Sequence, residues 1–331
     1  MPIPSRQPPP VDPGPFRPLP LLGNPHVQTI LGHFLPGRGP RLPAHEWQVL
    51  LPDGDRLVLH DFAPRGWRPG GRIALLVHGL GGSHRSGSVR RLAAALLPHG
   101  LRVACLDLRG AGRGAGLARR TYTGACSDDV RAALVALHGR EPASPLVLVG
   151  FSLGGNVALK LAGEAAADPV PNLQRVAAVA PPVDLERCAE LLARPGNRVY
   201  EQHFVRGLVR SALRQLRFFP DLPRIRFPRV MTMRLFDDLY TAPLWGYAGA
   251  LDYYRRASAA PLLPRIQLPL FILTARDDPF IAAGPLEALP AAPGREVHLL
   301  ERGGHLGFLG WDGAGGLRWL ERRLAAWILR G

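Results

Sequence analysis

Short apolar runs recur along the chain, separated by glycine-rich stretches and longer amphipathic segments. The runs are too short for helices, are rich in Val, Leu and Ile, and show no alternation with polar residues. This pattern is typical of strands covered on both faces. The runs are Ile73–Val77, Val103–Leu108, Leu146–Val149, Val176–Ala180, Leu270–Thr274 and Val297–Leu300. Two more strand-like stretches, between Trp47 and Phe62, flank Pro52-Asp53-Gly54, and Asp-Gly is a hairpin signal.

Helical patterns separate several of these runs, at Val89–Leu97, Asp128–His138, Leu153–Gly163 and Gly316–Leu329. Alternating strands and helices favour a mostly parallel central sheet with right-handed crossovers and helices on both faces. A chain of 331 residues can bury a sizeable core without a metal or disulfide to hold it. The pattern therefore predicts an α/β fold.

The alternation stops between Asp184 and Arg265, where aromatic and arginine-rich helical segments such as Tyr200–Phe219 replace it. We expect residues 184–265 to form a helical lid or cap over a site, inserted between core segments 21–183 and 266–331. Residues 1–20 are rich in proline, which disfavours both helices and ladders, so we expect a tail or an arm along the surface.

The net charge is +15, and 40 of the 41 basic residues are arginine. They are spread over the whole chain without a run of five or six like charges. This distribution argues against nucleic-acid binding, although scattered arginine leaves weak peripheral contact with an anionic membrane open. The oligomeric state is not indicated.

The three cysteines, Cys105, Cys126 and Cys188, lie far apart, which excludes a disulfide scaffold or zinc ribbon and fits a reducing compartment. No apolar run reaches the ~18 residues of a membrane span, and residues 1–20 lack the apolar core of a secretory signal. We therefore expect a cytoplasmic protein. The histidines offer no metal-ligand spacing, and the glycines at 110–116 do not have the G-x-G-x-x-G register. We predict neither a metal nor an organic cofactor.

The pentapeptide Gly150-Phe151-Ser152-Leu153-Gly154 fits the pattern G-x-S-x-G. An apolar run precedes it and a helical pattern follows it, as in a strand–turn–helix that presents a serine on a sharp turn. The glycines leave room for the turn, and the start of the helix directs its free N–H groups toward the serine. Ser152 is therefore the candidate nucleophile.

A serine hydroxyl needs an adjacent base that is oriented by an acid, and in this architecture the acid and then the histidine follow the serine. Of the later histidines, His203 falls in the proposed lid and His298 inside an apolar run. His305 lies in Gly303-Gly304-His305-Leu306-Gly307, where glycines let a loop fold back over the site. We predict His305 as the base.

The acid is expected in the turn Asp277-Asp278-Pro279, which follows a predicted strand. We predict that Asp278, deeper in the turn, accepts the Nδ1–H of His305, and that Asp277 is a capping or exposed residue. Asp184 is a further candidate for the acid.

Acyl transfer also needs donors for the developing oxyanion. We predict the backbone N–H of Leu153, next to the nucleophile, and that of Leu80 in the loop His78-Gly79-Leu80-Gly81-Gly82. His78 is interpreted as a structural residue that braces this loop.

These residues resemble the YheT-like branch of the α/β-hydrolases, from about Asn24 to the C-terminus. Eukaryotic relatives in this branch act on lipid esters. The matching segments are Asn24-Pro25-His26-Val27-Gln28-Thr29, His78-Gly79-Leu80, Arg109-Gly110, Gly150–Gly154, Phe236-Asp237-Asp238, Thr241-Ala242-Pro243, Tyr253-Tyr254, Asp277-Asp278-Pro279 and Gly304–Phe308. The resemblance implies an α/β-hydrolase fold and a triad of Ser152, Asp278 and His305. The chain departs from the pattern at Tyr122-Thr123, where Tyr-His is expected in a loop that faces the site.

The resemblance and the motifs together predict a serine esterase for short-chain or acylglycerol-type esters. Acyl transfer to an alcohol and thioester cleavage are alternatives that use the same triad. A non-catalytic binding module on a hydrolase scaffold is an alternative of another class. The aromatic residues of the proposed lid, including Trp245 and Phe218-Phe219, either line an acyl-chain pocket or pack as ordinary helix residues.

Overall fold

The computed structural model describes residues 12–35, 39–40 and 43–330. Within them, eight strands form a single sheet in the order β1-β2-β4-β3-β5-β6-β7-β8. The first two strands form an antiparallel hairpin, β2 is antiparallel to β4, and all other neighbours are parallel. The strands are β1 His45–Leu50, β2 Arg56–Phe62, β3 Ile73–Val77, β4 Arg102–Asp107, β5 Leu146–Phe151, β6 Leu173–Val179, β7 Leu270–Ala275 and β8 Arg295–Leu300.

Helices cover both faces of the sheet. The core helices are α1 Pro25–Phe34, α2 Gly87–Leu96, α3 Ser127–Arg140, α4 Leu153–Glu164, α10 Gly284–Glu287 and α11 Trp319–Leu329. On one face α2 packs with α11, and on the other α3 packs with α4. The inner strands β3, β5 and β7 are buried along their whole length, as expected for strands covered on both sides. None of the helices described here combines the length and the apolar character needed to cross a bilayer.

Residues 180–269, between β6 and β7, contain helices and no strand. The helices are α5 Leu185–Leu192, α6 Arg198–Phe218, α7 Met233–Phe236, α8 Ala242–Trp245 and α9 Ala250–Ala257. A five-residue π-helical turn, Asp237–Thr241, joins α7 to α8. We call residues 184–265 the cap. The strand–helix alternation of the sequence is interrupted over the same residues, and the prediction that they form a lid over a site stays a prediction.

Each predicted strand coincides with an observed one to within three residues. The last helix begins at Trp319 rather than Gly316, because Asp312 accepts the N–H groups of Ala314 and Gly316 and holds a turn there. Helix α1 was not predicted. Its signal is nevertheless in the sequence, because the Asn24 side chain caps the helix and Pro25 occupies its first turn.

The described part of the proline-rich arm, residues 12–20, contains no helix and lies on the loop after β8. Pro18 forms an isolated bridge with Gly310, and Phe16 packs edge-on against Phe308 and Trp319. Residues 1–11 lie outside the described part of the chain.

Arg109 joins the β1–β2 hairpin to α3 through a buried ion cluster. Its guanidinium donates to both oxygens of Asp129, at 2.7 and 2.8 Å, and to one oxygen each of Asp53 and Asp55, at 2.6 Å. The side chains of Arg109, Asp55 and Asp129 are each less than 10% exposed. These carboxylates are therefore largely out of water, and Arg109 is the cation that pairs with both of them.

We expect Arg109→Met to lower the free energy of unfolding by about 3–5 kcal/mol, because it leaves buried carboxylates without a cation. Urea denaturation measures this loss. Arg119→Met is the matched control, since Arg119 pairs with Asp221 where both side chains are about half exposed or more. It is expected to cost less than about 1 kcal/mol. Equal losses in the two variants would contradict the proposed importance of the buried cluster.

Candidate active site

Ser152 lies on a sharp turn between β5 and α4, with φ 52° and ψ −123°. This positive φ is strained for a residue with a side chain. The turn is tight because a Cβ at Gly150 would lie 2.1 Å from the Gly154 carbonyl oxygen, and one at Gly154 would lie 2.4 Å from that of His78. The two glycines of the motif are therefore required by close backbone approach.

The side chains of Ser152, His305 and Asp278 form a continuous hydrogen-bonded line. His305 Nε2 lies 3.0 Å from Ser152 Oγ, and His305 Nδ1 lies 2.8 Å from Asp278 Oδ2. Because a carboxylate only accepts, Nδ1 carries the ring proton and the Ser152 hydroxyl donates to Nε2. Asp278 Oδ1 accepts the N–H groups of Phe280 and Ile281, both at 3.1 Å, which fixes the carboxylate.

The other acids and histidines considered from the sequence lie elsewhere. Asp277 accepts the Gly304 N–H at 2.9 Å, and burial raises the pKa of its carboxyl. Asp184 caps α5 by accepting the Arg187 N–H. His203 is exposed on α6, and His298 lies on β8, 3.3 Å from a carboxylate oxygen of Glu296. None of these side chains contacts the His305 ring in the described structure.

Helix α1 holds the loop that carries His305. The Thr29 hydroxyl accepts the His305 N–H at 2.9 Å and donates to the Pro25 carbonyl at 2.7 Å. The Gln28 side chain accepts the Leu309 N–H at 2.8 Å and donates to the Leu309 carbonyl at 3.2 Å. A Cβ at Gly304 would lie 2.3 Å from the Pro25 carbonyl oxygen, so the helix and the loop are in direct contact.

In the sequence, Thr29 and Gln28 are recognisable only as part of a family motif, which assigns them no role. Nothing in the local sequence indicates that their partners, His305 and Leu309, lie more than 270 positions away.

The loop after β3 contacts the nucleophile. A Cβ at Gly79 would lie 2.9 Å from Ser152 Cβ and 3.5 Å from Ser152 Oγ. Within the described residues, the backbone N–H groups of Leu80 and Leu153 have no hydrogen-bond partner. His78 is buried and accepts the Leu108 N–H at 3.3 Å through Nε2, in keeping with its predicted bracing role. Burial lowers the pKa of His78, which favours the neutral ring that this acceptance requires.

Tyr122 fixes the same loop from the other side. Its hydroxyl accepts the Gly81 N–H at 2.6 Å and lies 3.2 Å from the Gly79 carbonyl oxygen, to which it donates. This agrees with the expectation that the loop containing Tyr122-Thr123 faces the site. Thr123, at the position where the family pattern has histidine, is buried, and its hydroxyl accepts the Ala125 N–H within the local turn.

Apolar side chains of the cap and the loops surround the line of three residues. The Phe280 ring lies 4.3 Å from that of His305, and Tyr200 and Phe204 pack on Phe280. Leu153 and Leu80 belong to a cluster with cap residues of α5 and α9, and Leu80 also packs against the cluster that contains Phe280. Ser152 itself is partly exposed. Trp245 and Phe218-Phe219 lie elsewhere, against residues 116–121 and Arg109.

Several family-motif residues of the cap bond to one another. Asp237 accepts the hydroxyls of Thr241 and Tyr254 at 2.6 and 2.7 Å, and burial raises its pKa to about 6. The Tyr253 hydroxyl accepts the Gly124 N–H at 2.9 Å. These bonds fold the cap and attach it to the loop between β4 and α3.

The described residues contain one group with ligand atoms close enough for a metal ion, His60, His84 and Asp107. Both rings bond to the same oxygen, Asp107 Oδ2, at 3.0 and 2.8 Å, and the backbone N–H groups of His84 and Arg113 complete the bonds to this carboxylate. The rings are stacked, with centroids 3.4 Å apart and planes 22° apart. A metal ion must lie in the plane of each coordinating imidazole, ~2 Å from its nitrogen. The planes of two stacked, nearly parallel rings do not converge on one such point. We interpret the cluster as a support for the loop after β3.

A family model described as alpha/beta hydrolase fold matches residues 75–310. The chain is 34% identical over 327 residues to the protein YheT of Escherichia coli (strain K12), covering 95% of this chain and 92% of YheT. It is 28% identical over 287 residues to the monoacylglycerol lipase of Saccharomyces cerevisiae (strain ATCC 204508 / S288c), covering 84% of this chain and 61% of the yeast protein.

Among solved structures, the esterase Pf2001 of Pyrococcus furiosus matches with a TM-score of 0.55 and 16% identity, covering 94% of this chain and 98% of that one. At that identity the likeness shows the fold alone. The family match and the identity to YheT confirm the predicted resemblance: the chain belongs to the alpha/beta hydrolase fold family, in its YheT-like branch.

Proposed function

We propose that the protein is a serine hydrolase of carboxylic esters, with Ser152 as nucleophile, His305 as base and Asp278 as the acid that orients it. The observation that carries this proposal is the line of hydrogen bonds at 3.0 and 2.8 Å through the His305 ring. As Ser152 Oγ attacks the ester carbonyl carbon, its proton moves to His305 Nε2. His305 gives this proton to the alcohol oxygen as the ester C–O bond breaks, which leaves the acyl group on Ser152 Oγ. His305 then takes a proton from the water that attacks this acyl group, and returns it to Ser152 Oγ as the carboxylic acid leaves.

The oxyanion that forms during attack would be stabilised by the N–H groups of Leu153 and Leu80. In a trans peptide the carbonyl and the following N–H point in opposite directions. The Gly79 carbonyl oxygen faces the Tyr122 hydroxyl and the Gly82 N–H, so the Leu80 N–H points away from them. Tyr122 therefore orients this donor in advance, which removes the cost of reorganisation during the reaction.

The apolar surroundings of the site support an ester with an acyl chain or another apolar group as the substrate. The Phe280 ring packs on His305, and Leu80 and Leu153 belong to an apolar cluster with cap residues. The similarity to a monoacylglycerol lipase supports esters of glycerol among the candidates. We propose short-chain and acylglycerol-type esters as the substrate class.

We expect Ser152→Ala to lower turnover of p-nitrophenyl butyrate by at least ~10³-fold and to abolish labelling by a fluorophosphonate probe, because both need the activated hydroxyl. The melting temperature should change by less than about 4 °C, since no packed atom of the core is lost. Ser88→Ala, a partly buried serine on α2, is the control and should keep both activities. If the probe labels the Ser152→Ala protein as strongly as the wild type, the reactive serine is a different residue.

Thr29 is proposed as a positioning residue for the base. Thr29→Val keeps the shape of the side chain but removes the acceptor of the His305 N–H, so the ring can drift from Ser152. We expect kcat to fall about 10-fold with KM changed by less than about 2-fold, because small misplacements of a catalytic group are costly.

Thr29→Ser restores the acceptor and is expected to restore most of kcat. Steady-state kinetics well below the melting temperature of each variant separate this effect from lost stability. A Thr29→Val enzyme with wild-type kcat would remove Thr29 from the mechanism.

A further inference from the structure

Helix α6 lies across the edge of the sheet where Ser152 is located. Near its start, Tyr200 packs on Phe280, which in turn packs on His305. Near its end, the Gln215 amide donates to the Ala118 carbonyl, and Arg214 donates to the Gly110 carbonyl at 3.1 Å. One face of the helix is therefore fixed on the core by contacts at both ends.

The opposite face of α6 is an exposed stripe with a spacing of three or four residues. A helix of 21 residues is ~31 Å long, so the stripe spans a large part of the molecule. We call it the α6 stripe; it consists of Val199, His203, Arg206, Arg210, Leu213 and Arg217, all exposed. Val199 is 80% exposed and Leu213 is 47% exposed. The outer face of a helix that covers a sheet is typically polar, so aliphatic side chains among arginines make this face amphipathic in composition.

The stripe belongs to the segment where unpaired positive charge is concentrated. Residues 202–229 contain seven arginines and one acid, Asp221, for a net charge of +6 out of +15 for the chain. Asp221 already pairs with Arg119. Within the described residues, Arg206, Arg210 and Arg217 have no acidic group within 4.0 Å. The segment therefore presents a positive field that the protein does not neutralise itself.

We propose that the α6 stripe is a docking surface for an anionic lipid bilayer. Arginines attract the negative surface of such a bilayer, and aliphatic side chains among them enter the boundary between headgroups and acyl chains. Helix α1, whose His26 stacks on Tyr200 of α6, adds the exposed side chains of Ile30 and Phe34. A nucleic acid would use the charge but would leave these aliphatic side chains exposed, so lipid fits the composition better.

The docked orientation would bring the Ser152 edge of the sheet to the lipid surface. This is the geometry that an enzyme with membrane-resident substrates needs. Binding to a bilayer requires no turnover, so the docking surface can be tested independently of the proposed reaction.

The test is co-sedimentation of the full chain with vesicles of phosphatidylcholine and phosphatidylglycerol in equal parts, at low salt. We expect binding that is lost at high salt and is absent with pure phosphatidylcholine vesicles. Arg206→Glu/Arg210→Glu should weaken binding at least ~10-fold, because it reverses two charges within the stripe. Leu213→Ser should weaken it with no change in its salt dependence, because it removes only an inserted side chain.

The control is Arg65→Glu/Arg68→Glu, which changes the net charge by the same amount. These two exposed arginines precede β3 and so lie at the opposite edge of the sheet from Ser152. The control should bind within ~2-fold of the wild type, and melting curves establish that both double variants are folded. If both double variants lose vesicle binding to the same extent, the effect is one of net charge alone, and the proposed docking surface is wrong. Binding to a single-stranded RNA oligonucleotide without binding to vesicles would overturn it as well.

Discussion

The backbone of Ser152 is held in a conformation that a free chain avoids, and the rest of the site is arranged around it. A non-glycine residue at φ 52° costs on the order of 1–3 kcal/mol. The buried strand β5 and helix α4 compensate for this cost, and the Ser152 N–H is fixed on the Val179 carbonyl at 2.8 Å. The hydroxyl is thereby placed at the carboxyl edge of the parallel strands, where the loops after β3, β7 and β8 also arrive.

The loop that carries His305, the proposed base, is held by a helix from the other end of the chain as well as by its own bonds. The His305 ring is bonded to Asp278 and Ser152, but its backbone depends on α1, which lies 276 positions earlier in the chain at Thr29. A contact of such separation closes a long loop, so the entropy of closure must be compensated by other contacts of the fold. The geometry of the hydrogen-bonded line therefore depends on the whole fold rather than on local structure. The N-terminal helix is a part of the site although it contributes no reacting atom.

The sequence predicted the strands well because β3, β5 and β7 are covered on both faces and carry uninterrupted apolar residues. It indicated Ser152 and His305 through glycines that the backbone contacts require. The sequence favours Asp278 over Asp277 only through its place in the turn. Which of two adjacent carboxylates faces His305 depends on the conformation of that turn, which the sequence does not define. The contacts of Thr29 and Tyr122 could not be predicted, since each depends on a partner from a distant loop. The roles of these residues in catalysis stay predictions.

The high arginine content has two different physical consequences in this structure. Where the guanidinium is buried, its planar fork matches carboxylates, as in Arg109 with Asp129 and Arg102 with Asp61. Those charges are neutralised within the fold and contribute little to the external field. The arginines of the α6 stripe are in water and have no acidic partner among the described residues, so their charge contributes to that field. Residues 202–229 carry +6 of the net charge of +15, so uncompensated positive charge is denser on this part of the cap than along the rest of the chain.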